Sequence, residues 1–325
     1  MAPRISVVIP LYNRAGYIVE TLDSIASQHT QPHEVIVVDD ASTDDSMAVV
    51  EAYRQRSPLA LQLVSNTRQK GVSGATNTGM QLATGELIAL HDSDDLWTPQ
   101  HLQQLTQVLA QHSDIDFAFS AFEFFGDSSD VTSNAEHFKA SVKLMMAAAF
   151  ECTATHTWVS NAALLESILG IGFVFRCQAS LMRRSAIERH HLLFEEALSF
   201  TQDSHFMTLA ASHGRFAYID RLGVRVRRHQ ENSAPDYYGE KIINGYALRA
   251  KLLKAEFGHR SLTPAQRKAL NQRLWNLQSQ VMWSRSRGQP LGTRLQHCGE
   301  LLSTVPSVAS LKSCIKNLLS TAPRA

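Results

Sequence analysis

The residues best suited to chemistry in this sequence are the carboxylates that follow the apolar run 87–90. Asp92 and Asp94 stand one residue apart directly after this run, and Asp95 follows them. Aspartate oxygens are hard ligands of the kind that Mg²⁺ and Mn²⁺ prefer, and such an ion can in turn hold a diphosphate. The structural alternative is a turn or a helix cap, and Asp95 is predicted to cap a helix that begins near Pro99. The pair alone is a short motif, so the surrounding sequence has to decide between a metal site and a turn or cap.

Strands and helices alternate upstream of this motif. Apolar runs predict strands at 5–9, 35–38, 61–65 and 87–90, and apolar residues at helical spacing predict helices at about 15–28, 43–54 and 73–83. This alternation, with short links, predicts an α/β fold whose mostly parallel sheet has helices on both faces. Ligands of such sheets bind at the carboxyl ends of the strands. Asp39 and Asp40, which end the second strand, are therefore expected to share a crevice with Asp92 and Asp94.

Four motifs in this half of the chain resemble those of family 2 glycosyltransferases. They are Val7-Val8-Ile9-Pro10-Leu11-Tyr12-Asn13, then Val37-Val38-Asp39-Asp40-Ala41-Ser42-Thr43-Asp44, then Asn77-Thr78-Gly79 with Ala83-Thr84-Gly85-Glu86, and finally Asp92-Ser93-Asp94-Asp95. Their order and spacing match over residues 5 to 98, and a looser match continues to 233. The resemblance implies a Rossmann-like GT-A fold, a nucleotide-sugar donor, a divalent cation (Mn²⁺ or Mg²⁺) and inversion at the anomeric carbon.

The resemblance also assigns residues to the donor. The whole predicted donor-binding set is Pro10, Tyr12, Asp39, Asp40, Lys70, Asn77, Asp92, Ser93, Arg227 and Arg228. Within it, Asp40 would accept the ring N–H of the base, usually uracil, whereas Asp39 is as well suited to capping the following turn. The family often has Ala-Arg-Asn where this chain has Ala75-Thr76-Asn77. Lys70 and Arg68 could replace the missing positive charge, and the alternative is that both are solvated loop residues.

Metal binding is predicted for three side chains. Asp92 and Asp94 resemble the family's Asp-x-Asp pair, with Asp94 as the direct ligand. The segment 227–233 resembles the family's Arg-x-His-x-x-Ser loop, which folds over the diphosphate. There His229 is predicted to ligate the metal, and Arg227 or Arg228 to neutralise phosphate.

A catalytic base is predicted at Asp203. An inverting transfer needs a base for the proton of the attacking hydroxyl, and a carboxylate in a partly dry cleft can serve. Asp203 stands where the family carries that base, although the family commonly has Glu-Asp where this chain has Gln202-Asp203. The alternative is that Asp203 merely caps the helix that follows. Glu195 and Glu196 are the next candidates for the base.

The sequence changes character near residue 236. Residues 1–235 are predicted to form the GT-A catalytic domain and residues 236–325 a helical C-terminal region, whereas residues 126–172 follow no familiar pattern. The last helical segment, 307–321, has an apolar stripe with Lys312 and Lys316 beside it. This segment could pack on the body, form a homodimer, or rest on an anionic membrane.

The bulk composition excludes some classes of function. A formal net charge of +1 gives no basic footprint, which argues against nucleic acid as a partner. The four cysteines lack metal-like spacing, which is typical of reduced thiols in a cytoplasm. The first apolar run is too short for a signal peptide, and no run approaches the roughly 20 apolar residues of a membrane span. We therefore expect a cytoplasmic protein, compatible with a peripheral position on the inner face of the membrane.

These observations predict an inverting, metal-dependent glycosyltransferase. Its donor is expected to be a UDP-sugar, and its acceptor a hydroxyl of a glycan or lipid-linked saccharide in bacterial surface-polysaccharide synthesis. A nucleotidyltransferase would share the sheet and the acidic site, but it needs a Gly-rich basic loop where this chain has Leu11-Tyr12-Asn13-Arg14. An inactive sugar-nucleotide-binding scaffold is the other alternative, and the departures at Thr76 and Gln202 favour it.

Overall fold

The computed structural model describes residues 3–126, 131–229, 240–287, 289–305 and 308–319. They form two compact units. The first contains the described residues up to 196 and those from 202 to 229; the second contains 197–201 and the described residues from 240 onward. The predicted domain boundary at 235–236 lies outside the described residues, as does Ser233 of the predicted diphosphate loop.

The first unit combines a sheet with helices. Its strands are β1 (Ile5–Leu11), β2 (Glu34–Asp39), β3 (Leu61–Ser65), β4 (Leu87–Leu90), β5 (Leu96–Trp97), β6 (Phe117–Gly126), β7 (Phe150–Cys152), β8 (Trp158–Ser160), β9 (Ser180–Arg183) and β10 (Phe216–Arg228). Its helices are α1 (Ile18–Ala26), α2 (Ser46–Arg54), α3 (Val72–Leu82), α4 (His101–Gln111), α5 (Val131–Ala149), α6 (Leu164–Gly170), α7 (Arg184–Arg189) and α8 (Gln202–Ala211).

The strands form one mixed sheet in the order β3-β2-β1-β4-β9-β6-β10-β8-β7, with β5 paired to β10. The first four strands are parallel, as the alternation of strands and helices predicted. In contrast, β9 runs antiparallel to both β4 and β6, while β6 and β10 are parallel to each other. The predicted α/β fold is thus confirmed, and its parallel half contains the strands that end in carboxylates.

Apolar side chains cover both faces of this sheet, because successive residues of a strand point to opposite sides. On one face, Val7 and Ile9 of β1 join a core with α1, α2 and α4. On the other face, Val8 joins a core that includes α3 and α8. Gly79 allows α3 to lie close to the sheet, since a Cβ there would stand 2.3 Å from Val8 Cγ1.

The carboxyl ends of the parallel strands meet at one edge of the sheet. The Asp40 N–H donates to the Leu11 carbonyl at 2.8 Å, and the His91 N–H donates to the Val8 carbonyl at 3.0 Å. Asn13 and Ala41, just beyond β1 and β2, have left-handed φ angles of 51° and 60°. Such conformations are uncommon for non-glycine residues and cluster at functional sites.

The second unit is helical, with α9 (Glu240–Gly258), α10 (Pro264–Ser286), α11 (Leu291–Thr304) and α12 (Val308–Leu319). The predicted start of a helix at Thr263-Pro264 is confirmed by a capping box. In it, the Thr263 hydroxyl accepts from Gln266 N at 3.2 Å, and the Gln266 side chain accepts from Thr263 N at 3.0 Å. Among the described helices, none is both long and apolar enough to cross a membrane.

Candidate active site

The ends of β1 and β2 bring the predicted nucleoside-binding residues together. Asp40 is buried; its Oδ1 accepts a hydrogen bond from Asn66 Nδ2 at 2.7 Å, and its Oδ2 accepts one from Gly71 N at 2.8 Å. These bonds fix the carboxylate, and each oxygen keeps a second lone pair for a ligand N–H. The Lys70 ammonium lies 4.8 Å from the centre of the Tyr12 ring, which is 43% exposed. An exposed ring beside a fixed acceptor suits a base that stacks and presents an N–H.

Three other members of the predicted donor set lie in the strands of the parallel half or just after them. Both carboxylate oxygens of Asp39 accept from Ser42 N at 3.3 Å, which is the turn-capping role left open above. Pro10 lies within β1, opposite Val38 of β2. Ser93 is buried in the acidic loop after β4.

The contacts of Asn77 favour a positioning role over the predicted donor contact. Asn77 is 1% exposed; its Oδ1 accepts from Phe194 N at 2.9 Å, and its Nδ2 donates to the Phe194 carbonyl at 2.9 Å. The same Nδ2 donates to Glu196 at 3.0 Å, and Glu196 also accepts from Arg68. The buried amide therefore ties α3 to the segment around Phe194. Burial raises the pKa of Glu196, but the hydrogen bonds from Arg68 and Asn77 outweigh it and lower that pKa, so Glu196 is a poor base.

The loop after β4 carries a cluster of acids. Burial raises the pKa of Asp92 well above its usual value, and the charges of Asp95, Asp94 and Asp203 raise it further. Burial and the neighbouring Asp94 raise the pKa of Asp95 to about 7. Carboxylates this close repel one another, and a bound cation would relieve the repulsion.

Asp95 is not the helix cap that the sequence predicted. Its Oδ1 accepts from Arg227 N at 2.8 Å, and its Oδ2 accepts from Gln178 Nε2 at 2.9 Å. The N-cap position of α4 is occupied by Gln100, whose side chain makes no capping hydrogen bond. Asp95 instead connects the acidic loop to the end of β10 and to the segment before β9, because its buried carboxyl group needs donors from both.

Asp94 and His229 meet, as the metal prediction required. His229 Nε2 lies 3.1 Å from Asp94 Oδ2, and the same oxygen accepts from Arg14 Nε at 2.9 Å. The three side chains are only 11–15% exposed. The His229 ring also stacks on Tyr17, with ring centres 4.6 Å apart. Asp94 is thus held in place by two nitrogen donors at the mouth of the crevice.

The oxygen ligands of this loop suit a divalent cation whose coordination is completed by oxygens of the substrate. Among the described residues, no three His, Cys, Asp or Glu side chains form a group that could hold a metal by themselves. Mg²⁺ is commonly bound by one or two carboxylates together with substrate phosphates. Asp92 and Asp94 supply two hard oxygen donors, and the repulsion within the acid cluster favours a cation there. The residues that would hold it are therefore Asp92 and Asp94, with His229 adjacent.

The two arginines at the end of β10 have different surroundings. Arg227 donates from Nε to the Asp94 carbonyl at 2.8 Å and from its terminal nitrogen to Glu20 at 2.5 Å. These contacts favour a structural role for Arg227 over the predicted phosphate contact. Arg228 instead lies over the Phe124 ring, 4.4 Å from its centre, and its buried Nε has no hydrogen-bond partner among the described residues. Of the two, Arg228 has more donor capacity to offer a ligand.

Asp203 lies in the first turn of α8, which begins at Gln202. Thr201 just before it has a left-handed φ of 65°, a strained conformation for a β-branched residue. Burial raises the pKa of Asp203, and the charge of Arg176 acts in the opposite direction. The charge of Asp203 helps to raise the pKa of Asp92, so the predicted base lies near one of the two predicted metal-binding aspartates.

Three residues at this site carry no sequence signal strong enough to assign a role. Arg14 directly follows the Tyr12-Asn13 motif, yet only the structure shows its bond to Asp94. Asn66 fixes Asp40 from the end of β3, and Arg176 stands shortly before β9, outside the motifs that assigned roles to residues. The position of Asn66 at the end of a predicted strand could have indicated its role, because polar residues at strand ends lie at the same edge of the sheet as Asp40.

Comparisons with known proteins agree with this geometry. Residues 6–190 match the family described as Glycosyl transferase family 2. The uncharacterized glycosyltransferase EpsJ of Bacillus subtilis is 26% identical over 272 residues, which is 83% of this chain and 74% of EpsJ. The UDP-Glc:alpha-D-GlcNAc-diphosphoundecaprenol beta-1,3-glucosyltransferase WfgD of Escherichia coli is 30% identical over 39% of this chain and 49% of WfgD. A relative from Nostoc, 38% identical, is matched over 34% of its length.

Solved structures show the same fold. S. aureus TarS (residues 1–349) in complex with UDP-GlcNAc superposes with a TM-score of 0.66 at 20% identity, over 97% of this chain and 89% of that one. The mannosyltransferase PcManGT from Pyrobaculum calidifontis, in complex with GDP-Man and Mn²⁺, gives a TM-score of 0.59 at 20% identity, over 97% and 79%. The fold is therefore the predicted GT-A fold with a helical C-terminal region. With more than half of its length matched by the family, this chain belongs to glycosyl transferase family 2.

Proposed function

We propose that this chain is an inverting, cation-dependent glycosyltransferase that uses a UDP-sugar. The observation that carries the proposal is the proximity of a fixed carboxylate suited to reading a base, an acidic loop, and a partly buried carboxylate in the first turn of a helix. These are Asp40, the pair Asp92 and Asp94, and Asp203. Asp40 follows β2, Asp92 follows β4, and Asp203 lies near Asp92, an arrangement that suits the nucleoside, diphosphate and sugar of such a donor.

The reaction assigns one task to each group. Asp40 and Tyr12 hold the nucleoside, so that the sugar reaches past Asp92 toward Asp203. The acceptor hydroxyl attacks the anomeric carbon from the side opposite the diphosphate, and Asp203 takes its proton. The new glycosidic C–O bond forms while the bond from the anomeric carbon to the diphosphate oxygen breaks, and the UDP leaves with both electrons. A single displacement of this kind inverts the configuration at carbon.

A divalent cation held by Asp92 and Asp94 would stabilise the charge of the leaving diphosphate by Lewis acidity. The Arg14 and His229 side chains hold Asp94 in position for that role. PcManGT, solved with GDP-Man and Mn²⁺, supports this part of the proposal, and TarS, solved with UDP-GlcNAc, supports the choice of a UDP-sugar. The expected cation is therefore Mn²⁺ or Mg²⁺.

A thermal-shift panel of nucleotide sugars with Mn²⁺ tests this proposal. A ligand that binds only the folded state raises apparent stability, by about 2.7 kcal/mol at a concentration 100 times Kd. We expect UDP-sugars to stabilise the chain in the presence of Mn²⁺ and GDP-sugars to have much less effect. Stabilisation by no nucleotide sugar, with or without Mn²⁺, would contradict the proposal.

The proposed acceptor is a hydroxyl of a glycan or of a lipid-linked saccharide in bacterial polysaccharide synthesis. The name of WfgD describes a diphosphoundecaprenol-linked acceptor, and another relative, AmsB of Erwinia amylovora, is named for amylovoran biosynthesis. These matches cover less than half of either relative, so they support the class of acceptor and leave the sugar and the linkage open.

Replacing Asp40 tests the nucleoside role. In Asp40→Asn, we expect UDP binding to weaken by about 10-fold or more, because an amide can no longer act purely as an acceptor for the base N–H. Binding of Mn²⁺ alone should not change. The new amide NH₂ group would also face either Asn66 Nδ2 or Gly71 N, which are themselves hydrogen-bond donors. A thermal melt should therefore accompany the titration to report any loss of stability. Unchanged UDP affinity by calorimetry would move the role to Asp39.

The C-terminal helices are proposed to reach the membrane that carries a lipid-linked acceptor. Leu291 and Leu295 of α11 and Leu311 and Ile315 of α12 are 49–57% exposed, each pair one helical turn apart. The flanking Lys312 and Lys316 are exposed and would favour anionic lipid. The chain should therefore co-sediment with anionic vesicles, and Leu311→Gln with Ile315→Gln should reduce the bound fraction several-fold. A dimer in gel filtration that these changes dissociate, without vesicle binding, would instead make this face a homodimer contact.

A further inference from the structure

Arg176 and Arg228 both pack against a cluster of three phenylalanine rings. Phe122, Phe124 and Phe138 pack edge to face, with ring centres 5.5–5.7 Å apart. The Arg176 guanidinium carbon lies 4.6 Å from the centre of Phe138 and 5.5 Å from that of Phe124. The Arg228 guanidinium carbon lies 4.4 Å from the centre of the same Phe124 ring. The rings thus hold two positive charges next to each other.

Among the described residues, neither guanidinium forms a direct ion pair, although the charges of Asp203, Asp95 and Asp92 act on Arg176 from nearby. Within the part of the chain that the structure describes, the buried Nε of each also lacks a hydrogen-bond acceptor. Arg176 and Arg228 also repel each other, and this repulsion adds to burial in lowering the pKa of Arg176. Both side chains are partly buried, and holding two like charges side by side with a buried Nε–H unsatisfied on each is costly unless a bound group supplies the missing acceptors.

The sheet order places this pair on the far side of the acidic loop from the nucleoside. Asp40 follows β2, Asp92 follows β4, Arg176 precedes β9, and Phe124 lies in β6. In the sheet these strands run in the order β2, β1, β4, β9, β6. The two arginines therefore lie beyond Asp92, in the part of the crevice where the acceptor must approach if Asp40 holds the base.

We propose that Arg176 and Arg228 form an oxyanion site that binds a phosphate or carboxylate carried by the acceptor. The proposal rests on the donor placement described under the proposed function. Guanidinium groups present planar N–H donors that match both oxyanions, and the aromatic faces hold them without neutralising them. Arg176 is also attracted to Asp203, Asp95 and Asp92, but none of these carboxylates forms an ion pair with it, and its buried Nε–H stays unsatisfied.

Binding of small phenyl compounds tests this site without knowledge of the acceptor. The full chain is saturated with UDP and Mn²⁺ and titrated with phenyl phosphate, phenyl β-glucuronide and, as the neutral control, phenyl β-glucoside. We expect the two anions to bind and the glucoside not to bind. Arg176→Met should weaken anion binding about 10-fold or more, and Arg176→Lys should lie between, because it keeps the charge and loses the planar fork. Arg225→Met is the matched control, since Arg225 is an exposed arginine of β10 paired with Glu123.

The outcomes separate this proposal from the one on which it rests. If the wild-type chain shows no cation-dependent binding of UDP, the proposed function itself is refuted. Normal UDP binding with no anion binding, or with anion binding that Arg176→Met leaves unchanged, would overturn the oxyanion site alone. Weaker UDP binding in Arg176→Met would place the guanidinium at the donor diphosphate. If Arg176→Met weakens binding of UDP-glucuronic acid but not of UDP-glucose, the Arg176 guanidinium lies at the transferred sugar. Each of these last two results would overturn the assignment of the site to the acceptor.

Discussion

Asp203→Asn should lower the rate of sugar transfer by roughly 10²–10⁴-fold, the usual contribution of a general base, while donor affinity stays near normal. The change is nearly isosteric, and asparagine at the start of a helix caps about as well as aspartate. A purely structural role for Asp203 in the first turn of α8 therefore predicts almost no kinetic effect. The measurement is a steady-state rate at saturating donor and acceptor, with the exposed Asp220→Asn as the matched control.

The pH profile gives a second readout of the same residue. Burial raises the pKa of Asp203, and only the ionised carboxylate can accept the proton. The transfer rate should therefore fall as the pH drops through that raised pKa, so the acid limb lies above the ordinary aspartate value of about 3.9. Asp203→Asn should abolish this limb. A variant rate within a few-fold of the wild type, with the limb intact, would exclude Asp203 and leave Glu195 as the candidate, because Glu196 is held by Arg68 and Asn77.

Asp94→Ala should lower turnover by roughly 10³-fold or more, since cation catalysis supplies several kcal/mol of transition-state stabilisation. Cation-dependent UDP binding should weaken with it. The alanine also leaves Arg14 and His229 without their shared partner, so some loss of stability is expected. Asp94→Asn separates the two effects, because the amide oxygen can still accept from Arg14 while the anionic ligand is gone.

Calorimetry with Mn²⁺ and UDP is the measurement for both Asp94 variants, and circular dichroism reports the fold. Asp114→Ala is the matched control, because Asp114 is an exposed aspartate paired with Arg215. Equal Mn²⁺-dependent UDP affinity in the wild type and in Asp94→Asn would show that Asp94 is not a ligand, and Asp92 alone would then have to anchor the cation.

Local patterns in the sequence predicted the parallel half of the fold and the residues at its strand ends. Apolar runs fix β1, β2 and β4, and the geometry of parallel sheets brings the polar residues after them to one edge. The antiparallel insertion of β9 between β4 and β6 could not be predicted in this way, because nothing local distinguishes a strand that pairs with partners more than 60 residues away along the chain.

The roles of individual polar side chains were harder to predict than their positions. Asn77 lies 117 residues from its partner Phe194, and Arg227 lies 207 residues from Glu20. A motif shows that such a residue stands near the crevice, but its hydrogen-bond partners come from distant segments and decide whether it remains available to a ligand. The same limit applies to Arg176, whose aromatic neighbours lie on β6 and α5.

The most direct test of the proposed activity is cation-dependent release of UDP from a UDP-sugar by the wild-type chain. With the sugar chosen by the thermal-shift panel, we expect slow release of UDP without acceptor and faster release with a suitable acceptor. Both should require Mn²⁺ or Mg²⁺, stop on chelation, and fall in Asp203→Asn. Tight, cation-dependent binding of the UDP-sugar with no release of UDP across a broad set of acceptors would contradict this account and identify the chain as a sugar-nucleotide-binding scaffold.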